Sequence, residues 1–364
     1  MIVLGSTGSI GQNSLELARK FGTKVEALSC NKNYKLLNAQ IAEFKPKFVC
    51  IGDKNLKNLV DHNKVFCGED GILDMLELCQ SDIVINALVG FAGLAPSIKT
   101  QELNKRLCLA NKESLVVGGK FLKTKQIRAI DSEHFGLKFL LENPTKVSNL
   151  IITASGGAFY KTPIKALNSV TPQMALKHPN WDMGAKITID SATMANKLFE
   201  IIEAYHLYGL PCVEAVIERT SMVHALVNFC DGSTTAHLSR ADMKLAIAWA
   251  IFGQVKEQIL KPLNLCELAK IEFKKINLKK YPIFSLKDDL LTNPDLGVII
   301  NASNEIGVEK FLNSKCKFTD ISKIVFKSLD KFGGIKANSP SELCEIDKKV
   351  RKFANSEICK FTNL

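Results

Sequence analysis

Residues 1–11, Met1-Ile2-Val3-Leu4-Gly5-Ser6-Thr7-Gly8-Ser9-Ile10-Gly11, run a short apolar strand straight into a glycine-rich turn. No other stretch constrains the fold as much. Three glycines at three-residue spacing let a backbone turn tightly and approach a pyrophosphate. Residues 12–21 follow, with Leu15 and Ala18 one helical turn apart, so the N–H groups of a helix N-terminus can face the phosphates. Strand, turn and helix together point to a dinucleotide held along Thr7, Gly8, Ser9, Ile10 and Gly11. An ordinary glycine turn is the competing explanation.

The end of the second strand distinguishes NAD from NADP. Residues 24–29 read as that strand, about 20 residues past the first glycine. An NAD site places an acid here to accept from the ribose 2′-OH. This chain has Cys30-Asn31-Lys32-Asn33 instead. Asn31, Lys32 and Asn33 could bind a 2′-phosphate, and no acid repels it, which favours NADP. A solvated polar loop would explain Lys32 equally well, but not the missing acid.

At 364 residues the chain is long enough for two or three domains. No apolar run reaches the ~20 residues of a membrane span. A strand beginning at residue 2 leaves no room for a signal peptide, so a cytoplasmic location is expected. The 11 cysteines are scattered without a C-x-x-C pair and often lie in apolar runs, as Cys50 does. They read as small buried hydrophobes in a reducing compartment rather than as disulfides or a zinc site. The net charge of +11 comes mainly from dispersed lysine without interleaved aromatics. That argues against nucleic acid and suits the steering of an anionic substrate.

Residues 1–131 alternate short apolar runs, at 48–51, 83–87, 107–110 and 127–130, with helical stretches. This predicts an α/β domain with a doubly wound parallel sheet. Ligands bind beyond the strand C-terminal ends of such sheets, where Asn86, Asn111, Lys112 and Asp131 fall. Residues 132–254 predict a central α+β domain, with strands at 149–154 and 186–190 and a hairpin turning at Asp231-Gly232. Residues 255–290 read as a linker, and 291–364 as a helical C-terminal domain.

Asp131 and Glu133 lie just beyond a strand end. As an i, i+2 pair of carboxylates they would repel unless a cation or proton intervened, and oxygen ligands suit Mg²⁺ or Mn²⁺. Glu200 is a third candidate. Asp131 as a helix N-cap with Glu133 in the first turn is an alternative that the pattern alone slightly favours. Ser155-Gly156-Gly157 after the 149–154 strand is a plausible phosphate turn. Ser191, Asn196 and Lys197, expected at the start of the next helix, could serve the same anion. Residues 158–185 are long, proline-interrupted and aperiodic, and carry His178, Trp181 and Met183, which suggests a mobile segment with a function.

Several motifs occur in one order: Gly5 through Gly11, Leu109-Ala110-Asn111-Lys112-Glu113-Ser114, Asp131-Ser132-Glu133-His134, Ser155-Gly156-Gly157, Lys177 through Gly184, Asp190-Ser191-Ala192-Thr193-Met194, and Asn196-Lys197 with Glu200. In these the chain resembles the 1-deoxy-D-xylulose 5-phosphate reductoisomerase family over essentially its full length, including Asn301-Ala302-Ser303-Asn304-Glu305 near the end. The resemblance implies a Rossmann-type NADPH domain, a central catalytic, metal-binding and dimerisation domain with a flap over about 158–185, and a helical C-terminal domain. It implies Asp131, Glu133 and Glu200 as ligands of Mg²⁺ or Mn²⁺, with Co²⁺ an option. Ser155, His178, Ser191, Asn196 and Lys197 match phosphate-holding residues, and Lys112 and Ser132 match further substrate contacts. Trp181 and Met183 belong to the flap, and Asn111, Glu113 and Gly184 join the cofactor contacts. Lys112 and Glu133 are the catalytic candidates. The implied reaction rearranges a small phosphorylated sugar and reduces the product with NADPH, in a homodimer without nucleic-acid or membrane partners.

There are departures. Members usually show His-Pro-Gln-Ser where this chain has Glu218-Arg219-Thr220-Ser221, so no role is carried onto those positions. Leu198 replaces a glycine, and Ala158 and Tyr160 replace a Pro and an Arg. Two other classes compete: an NADP-dependent semialdehyde dehydrogenase, which needs an activated Cys, and a non-catalytic NADP-sensing module.

Overall fold

The computed structural model describes residues 1–210, 212–266, 268 and 270–361. Positions 267 and 269 of the expected linker, 362–364 of the expected helical domain, and 211 lie outside the described residues. The chain forms two compact units, each discontinuous in sequence. The first comprises Met1–Ser114, Leu122–Phe135 and Asp242–Lys261; the second comprises Leu115–Phe121, Gly136–Ala241 and Pro262–Leu364.

The first unit is built on seven strands: β1 (Ile2–Leu4), β2 (Ala27–Cys30), β3 (Phe48–Ile51), β4 (Val65–Cys67), β5 (Ile83–Asn86), β6 (Arg106–Leu109) and β7 (Ile127–Ala129). They lie in the order β4-β3-β2-β1-β5-β6-β7, all parallel. Short runs of Val, Ile, Leu and Cys with almost every side chain buried are what a sheet covered on both faces requires. The winding reverses at β1, the point at which doubly wound sheets bind ligands. The register aligns Leu4 with Ser29 and Asn86, Asn86 with Leu109, and Leu109 with Ala129. These strand ends therefore form one row.

The turn after β1 closes tightly onto the helix Ser9–Lys20. A Cβ on Gly11 would lie 2.4 Å from the Gly5 carbonyl oxygen, so only glycine allows this approach. The same unit receives the helix Lys244–Phe252, which buries Ala246, Ile247, Ala248, Ala250 and Ile251. Its final carbonyls are capped by side chains from the sheet. Arg106 donates to Ile251 O at 3.0 Å, Arg128 to Ala250 O at 3.2 Å, and Cys108 Sγ to Ala250 O at 3.1 Å.

The second unit carries a five-stranded mixed sheet of β8 (Val147–Ala154), β9 (Val213–Glu218), β10 (Val223–Phe229), β11 (Thr234–Leu238) and β12 (Phe273–Lys274), in the order β11-β10-β8-β9-β12. β8 and β9 are parallel and the remaining pairs antiparallel. The β10–β11 hairpin turns at Asp231-Gly232, as expected. Three long helices, Leu296–Leu312, Phe318–Phe332 and Pro340–Phe361, make the C-terminal region helical.

One expected strand is absent. Residues 186–190 lie in a helix, Ala185–Thr193. The β-branched run Ile187-Thr188-Ile189 suggested a strand, but tertiary context overrides that propensity. Thr188, Ile189, Asp190 and Ala192 are buried, Lys186 pairs with Asp190 at 2.9 Å, and Asn304 donates to Asp190 Oδ1 at 2.7 Å. The parallel partner of β8 is instead β9, Val213–Glu218, whose sequence VEAVIE lacks a clean alternation.

Candidate active site

The glycine turn leaves a helix N-terminus open. Gly8 is the N-cap, with no side chain to bond the first-turn amides, and the first turn holds no acid. Thr7 is half-buried and Gly8 and Ser9 are exposed. Beyond β2, Asn31, Lys32 and Asn33 are exposed. Asn33 is committed locally, because its Oδ1 accepts from Leu36 N at 3.2 Å and caps the helix Tyr34–Phe44. Of the three, Lys32 offers the cation.

Beyond β5 and β6 a buried amide cluster shapes the strand ends. Asn86 Nδ2 donates to Gly93 O and Ser97 Oγ, both at 2.8 Å. Asn111 Nδ2 donates to Leu88 O at 2.9 Å, Gly90 O at 2.8 Å and Glu113 Oε2 at 3.2 Å, while its Oδ1 accepts from Ser114 N at 3.0 Å. Every donor and acceptor has a use, which fixes the backbone on either side of Lys112.

Lys112 and Asp131 follow strand ends in the same row, and they meet. Lys112 Nζ donates to Asp131 Oδ2 at 2.8 Å, and both side chains are buried. Asp131 Oδ1 accepts from Glu133 N at 3.0 Å and His134 N at 3.4 Å, so Asp131 does cap the helix Ser132–Leu140. Both oxygens of Asp131 are therefore engaged, Oδ1 by the two amides and Oδ2 by the Lys112 ammonium. Ser132 Oγ donates to Glu133 Oε2, which holds Glu133 at the helix start.

In the second unit, Ser155-Gly156-Gly157 ends β8. His178 Nδ1 accepts from Asn180 N at 3.2 Å and Trp181 N at 3.0 Å, so Nε2 carries the hydrogen and donates to Ser155 Oγ at 2.9 Å. Burial, reinforced by the Arg219 charge, pushes the His178 imidazole down to about 4. It is a neutral donor at physiological pH. Trp181 is half-buried and meets the His224 ring edge-on at 6.3 Å between centroids. Met183 is half-buried and Gly184 exposed, the latter as N-cap of the helix Ala185–Thr193.

Ser191 sits in the last turn of that helix, not at the start of the next as expected. Met194, in the left-handed region at φ 69°, breaks the chain between the two helices. Asn196 and Lys197 open the helix Ala195–Tyr208, and both donate to the Glu200 carboxylate, Asn196 to Oε1 and Lys197 to Oε2. Lys197 and Glu200 are buried and Asn196 half-buried. Asp131 and Glu133 in the first unit, and Glu200 in the second, are carboxylates whose oxygens can ligate a metal ion. A hard, oxygen-only donor set of this kind fits Mg²⁺ or Mn²⁺.

Comparison with known proteins decides the family. Residues 1–119 match the family model for 1-deoxy-D-xylulose 5-phosphate reductoisomerase, 127–208 that for its C-terminal domain, and 238–353 the DXP reductoisomerase C-terminal domain. The chain belongs to the 1-deoxy-D-xylulose 5-phosphate reductoisomerase family. A reductoisomerase from Campylobacter hominis is 65% identical over 358 residues, spanning 98% of this chain and 99% of the relative. One from Campylobacter jejuni strain 81-176 is 55% identical over 356 residues, spanning 98% and 100%. Among solved structures, a DOX-P reductoisomerase in complex with NADPH, fosmidomycin and magnesium superposes with a TM-score of 0.90 at 34% identity, covering 98% of this chain and 97% of that one. The Zymomonas mobilis reductoisomerase in complex with NADPH gives 0.86 at 31% identity, with 98% of each chain covered.

Reasoning from sequence assigned no role to Arg219, Lys280 or Tyr281, yet all three grip the Ser155–Tyr160 stretch. Arg219 donates to the carbonyls of Ser155 and Gly157, Tyr281 Oη to Gly156 O at 2.9 Å, and Lys280 to Tyr160 O at 2.5 Å. They lie 62 to 125 positions away along the chain. The one available signal was a parallel partner for β8, which would have placed Glu218-Arg219 beside Ser155.

The histidines set an acid limit on stability. His206, packed against Gly119, is also pushed down by burial to about 4 from an ordinary 6.5. Between those values the unfolded chain binds protons that the folded chain refuses. Stability is therefore full above about pH 6.5 and falls as the pH drops toward 4. Denaturant midpoints measured from pH 7 to 5 should decline, and the decline should be shallower in His206→Gln. An unchanged slope in that variant would remove His206 from the account.

Proposed function

We propose that this protein converts 1-deoxy-D-xylulose 5-phosphate to 2-C-methyl-D-erythritol 4-phosphate, using NADPH and a divalent metal ion. Family membership supports the reaction class. The single observation that carries the residue assignments is the aligned row of strand ends, which sets Lys112 against Asp131 beyond the nucleotide turn. When bound, the metal supplies Lewis-acid polarisation of the substrate's neighbouring keto and hydroxyl oxygens, and NADPH supplies the hydride for the reduction.

The chain's own groups do the rest. Thr7, Gly8, Ser9, Ile10 and Gly11 bring open backbone amides to the pyrophosphate. Asn31, Lys32 and Asn33 border the 2′-phosphate, with Lys32 as its cation. Asn111, Glu113 and Gly184 complete the cofactor contacts. Asp131, Glu133 and Glu200 hold the metal. Lys112 neutralises Asp131 and stands ready to donate a proton to substrate oxygen, while Glu133 is the second proton-carrying candidate. Ser132 orients Glu133 and contacts substrate. Ser155, neutral His178, Ser191, Asn196 and Lys197 bind the substrate phosphate, a remote handle whose binding energy can be spent at the reacting carbons. Trp181 and Met183 lie on a flap, residues 158–185, that closes to exclude water.

Nucleotide binding is assigned to 1–131, substrate and metal chemistry and dimerisation to 132–254, and a supporting role to the helical 291–364. The described residues hold no helix long and apolar enough to cross a membrane. No disulfide joins the eleven cysteines, which fits a reducing cytoplasm, and the family resemblance points to a homodimer. The thiols of Cys30, Cys50, Cys79, Cys108 and Cys316 are pushed up by burial to about 11 or 12. None of these five is the activated nucleophile that a semialdehyde dehydrogenase would require.

The defining assay is NADPH oxidation on addition of 1-deoxy-D-xylulose 5-phosphate with Mg²⁺. Chelator should abolish turnover, and Mg²⁺, Mn²⁺ or Co²⁺ should restore it. Asp131→Asn, Glu133→Gln and Glu200→Gln should each lower kcat by about two orders of magnitude or more with the fold intact. Near-normal activity in one variant would strike that residue from the ligand set.

Lys32→Ala should raise KM for NADPH more than KM for NADH. Equal changes in both would mean that Lys32 does not read the 2′-phosphate. For the flap, a saturating phosphonate hydroxamate that mimics the substrate should protect residues 158–185 from limited proteolysis. It should also change tryptophan fluorescence in the parent protein but hardly at all in Trp181→Phe. Unaltered cleavage within the segment would show that it is not a lid.

A further inference from the structure

The turn after β8 has its three carbonyls tied by side chains. Arg219 Nη1 donates to Ser155 O and, at 3.4 Å, to Gly157 O, while Tyr281 Oη donates to Gly156 O at 2.9 Å. Every peptide bond here is trans, so the N–H of each linkage points away from its carbonyl. Holding the carbonyls of 155, 156 and 157 therefore turns the amides of 156, 157 and 158 the other way. Gly156 and Gly157, at φ 80° and 66°, allow the curl, and Gly157 N also bonds Ser155 Oγ at 3.1 Å. Successive amides curled in this way form an anion-binding concavity.

Arg219 is itself held from several directions. Its guanidinium lies 4.5 Å from the Tyr160 ring centroid, and Lys280 fixes the carbonyls of Tyr160 and Thr162 at 2.5 and 2.6 Å. The buried Glu218 carboxylate accepts from Thr220 N and Oγ1, both at 2.7 Å, from Met222 N at 3.1 Å and from Val223 N at 3.2 Å. That network sets the turn from which Arg219 reaches out. Asn180, on the expected flap, donates to Arg219 O at 2.7 Å and Ser221 Oγ at 2.8 Å. Arg219 thus touches the phosphate turn with its side chain and the flap with its backbone.

We propose that Arg219 is a positioning residue for the substrate phosphate. It pins the carbonyl side of the Ser155-Gly156-Gly157 turn, presents the amide side to the anion, and places a fixed positive charge behind it. The proposal rests on the assignment of this turn to phosphate. A lysine could supply the charge but not the planar guanidinium that faces the Tyr160 ring.

The test uses the full-length protein as R219M, R219K and S155A. It reads KM for 1-deoxy-D-xylulose 5-phosphate, competitive inhibition by inorganic phosphate, KM for NADPH and the thermal midpoint. R219M should raise the substrate KM and the phosphate inhibition constant together by roughly tenfold or more, with NADPH KM changed less than about twofold and kcat affected less than KM. R219K should fall between R219M and the parent. A general loss of structure would move NADPH KM and the thermal midpoint as well, and would overturn a specific role. If R219M does not fold, R219K carries the test, and a parental substrate KM and phosphate inhibition constant in it overturn the proposal. If S155A weakens phosphate inhibition while the Arg219 variants do not, the Arg219 role alone fails. If S155A leaves phosphate inhibition unchanged too, the assignment of the turn to phosphate fails and the proposal falls with it.

Discussion

Parallel strands are joined by evenly spaced, slanted hydrogen bonds, so a register set between two neighbours is inherited by the next. In the seven-stranded sheet this inheritance runs from Leu4 through Asn86 and Leu109 to Ala129. Chemistry cannot be placed along such strands, because both faces are buried. It can be placed only where they stop. The glycine turn, the Asn111-Lys112 pair and Asp131 are each the first polar residues after a strand in that row. The second unit obeys the same constraint on a smaller scale, since β8 and β9 run parallel and end at Ser155 and Arg219.

Charge buried at those ends needs compensation. A lone carboxylate taken out of water costs several kcal/mol, roughly, which a paired and hydrogen-bonded one recovers in part. Asp131 has Lys112 and two amides; Glu200 has Lys197 and Asn196. Each carboxylate thus faces an ammonium group and further hydrogen-bond donors within the protein.

Local signals were legible in the sequence where one short segment carries its own chemistry. The strand at 48–51, the Asp231-Gly232 hairpin and the helix at 296–312 stand where the patterns of alternation, turn residues and periodicity put them. What escaped depends on partners far along the chain. Ile187-Thr188-Ile189 is a strand by propensity and a helix because Asp190 is buried against Asn304. Glu218-Arg219-Thr220-Ser221 is unremarkable as a string. Its meaning appears only when β9 lies beside β8. The same holds for Asn33, whose role as cap of the helix Tyr34–Phe44 shows only once that helix is placed.

The helix Lys244–Phe252 bears on how the chain is made. Ile247, Ala248, Ala250 and Ile251 belong to the same buried cluster as Val3, Leu28 and Cys108, and Arg106 and Arg128 are committed to its terminal carbonyls. During synthesis the first strands leave the ribosome well over a hundred residues before this helix. At about 5–20 residues per second, the sheet waits several seconds with one apolar flank uncovered. In that interval nascent chains are open to chaperones and to one another. The first unit, although it starts the polypeptide, cannot close until this helix has emerged.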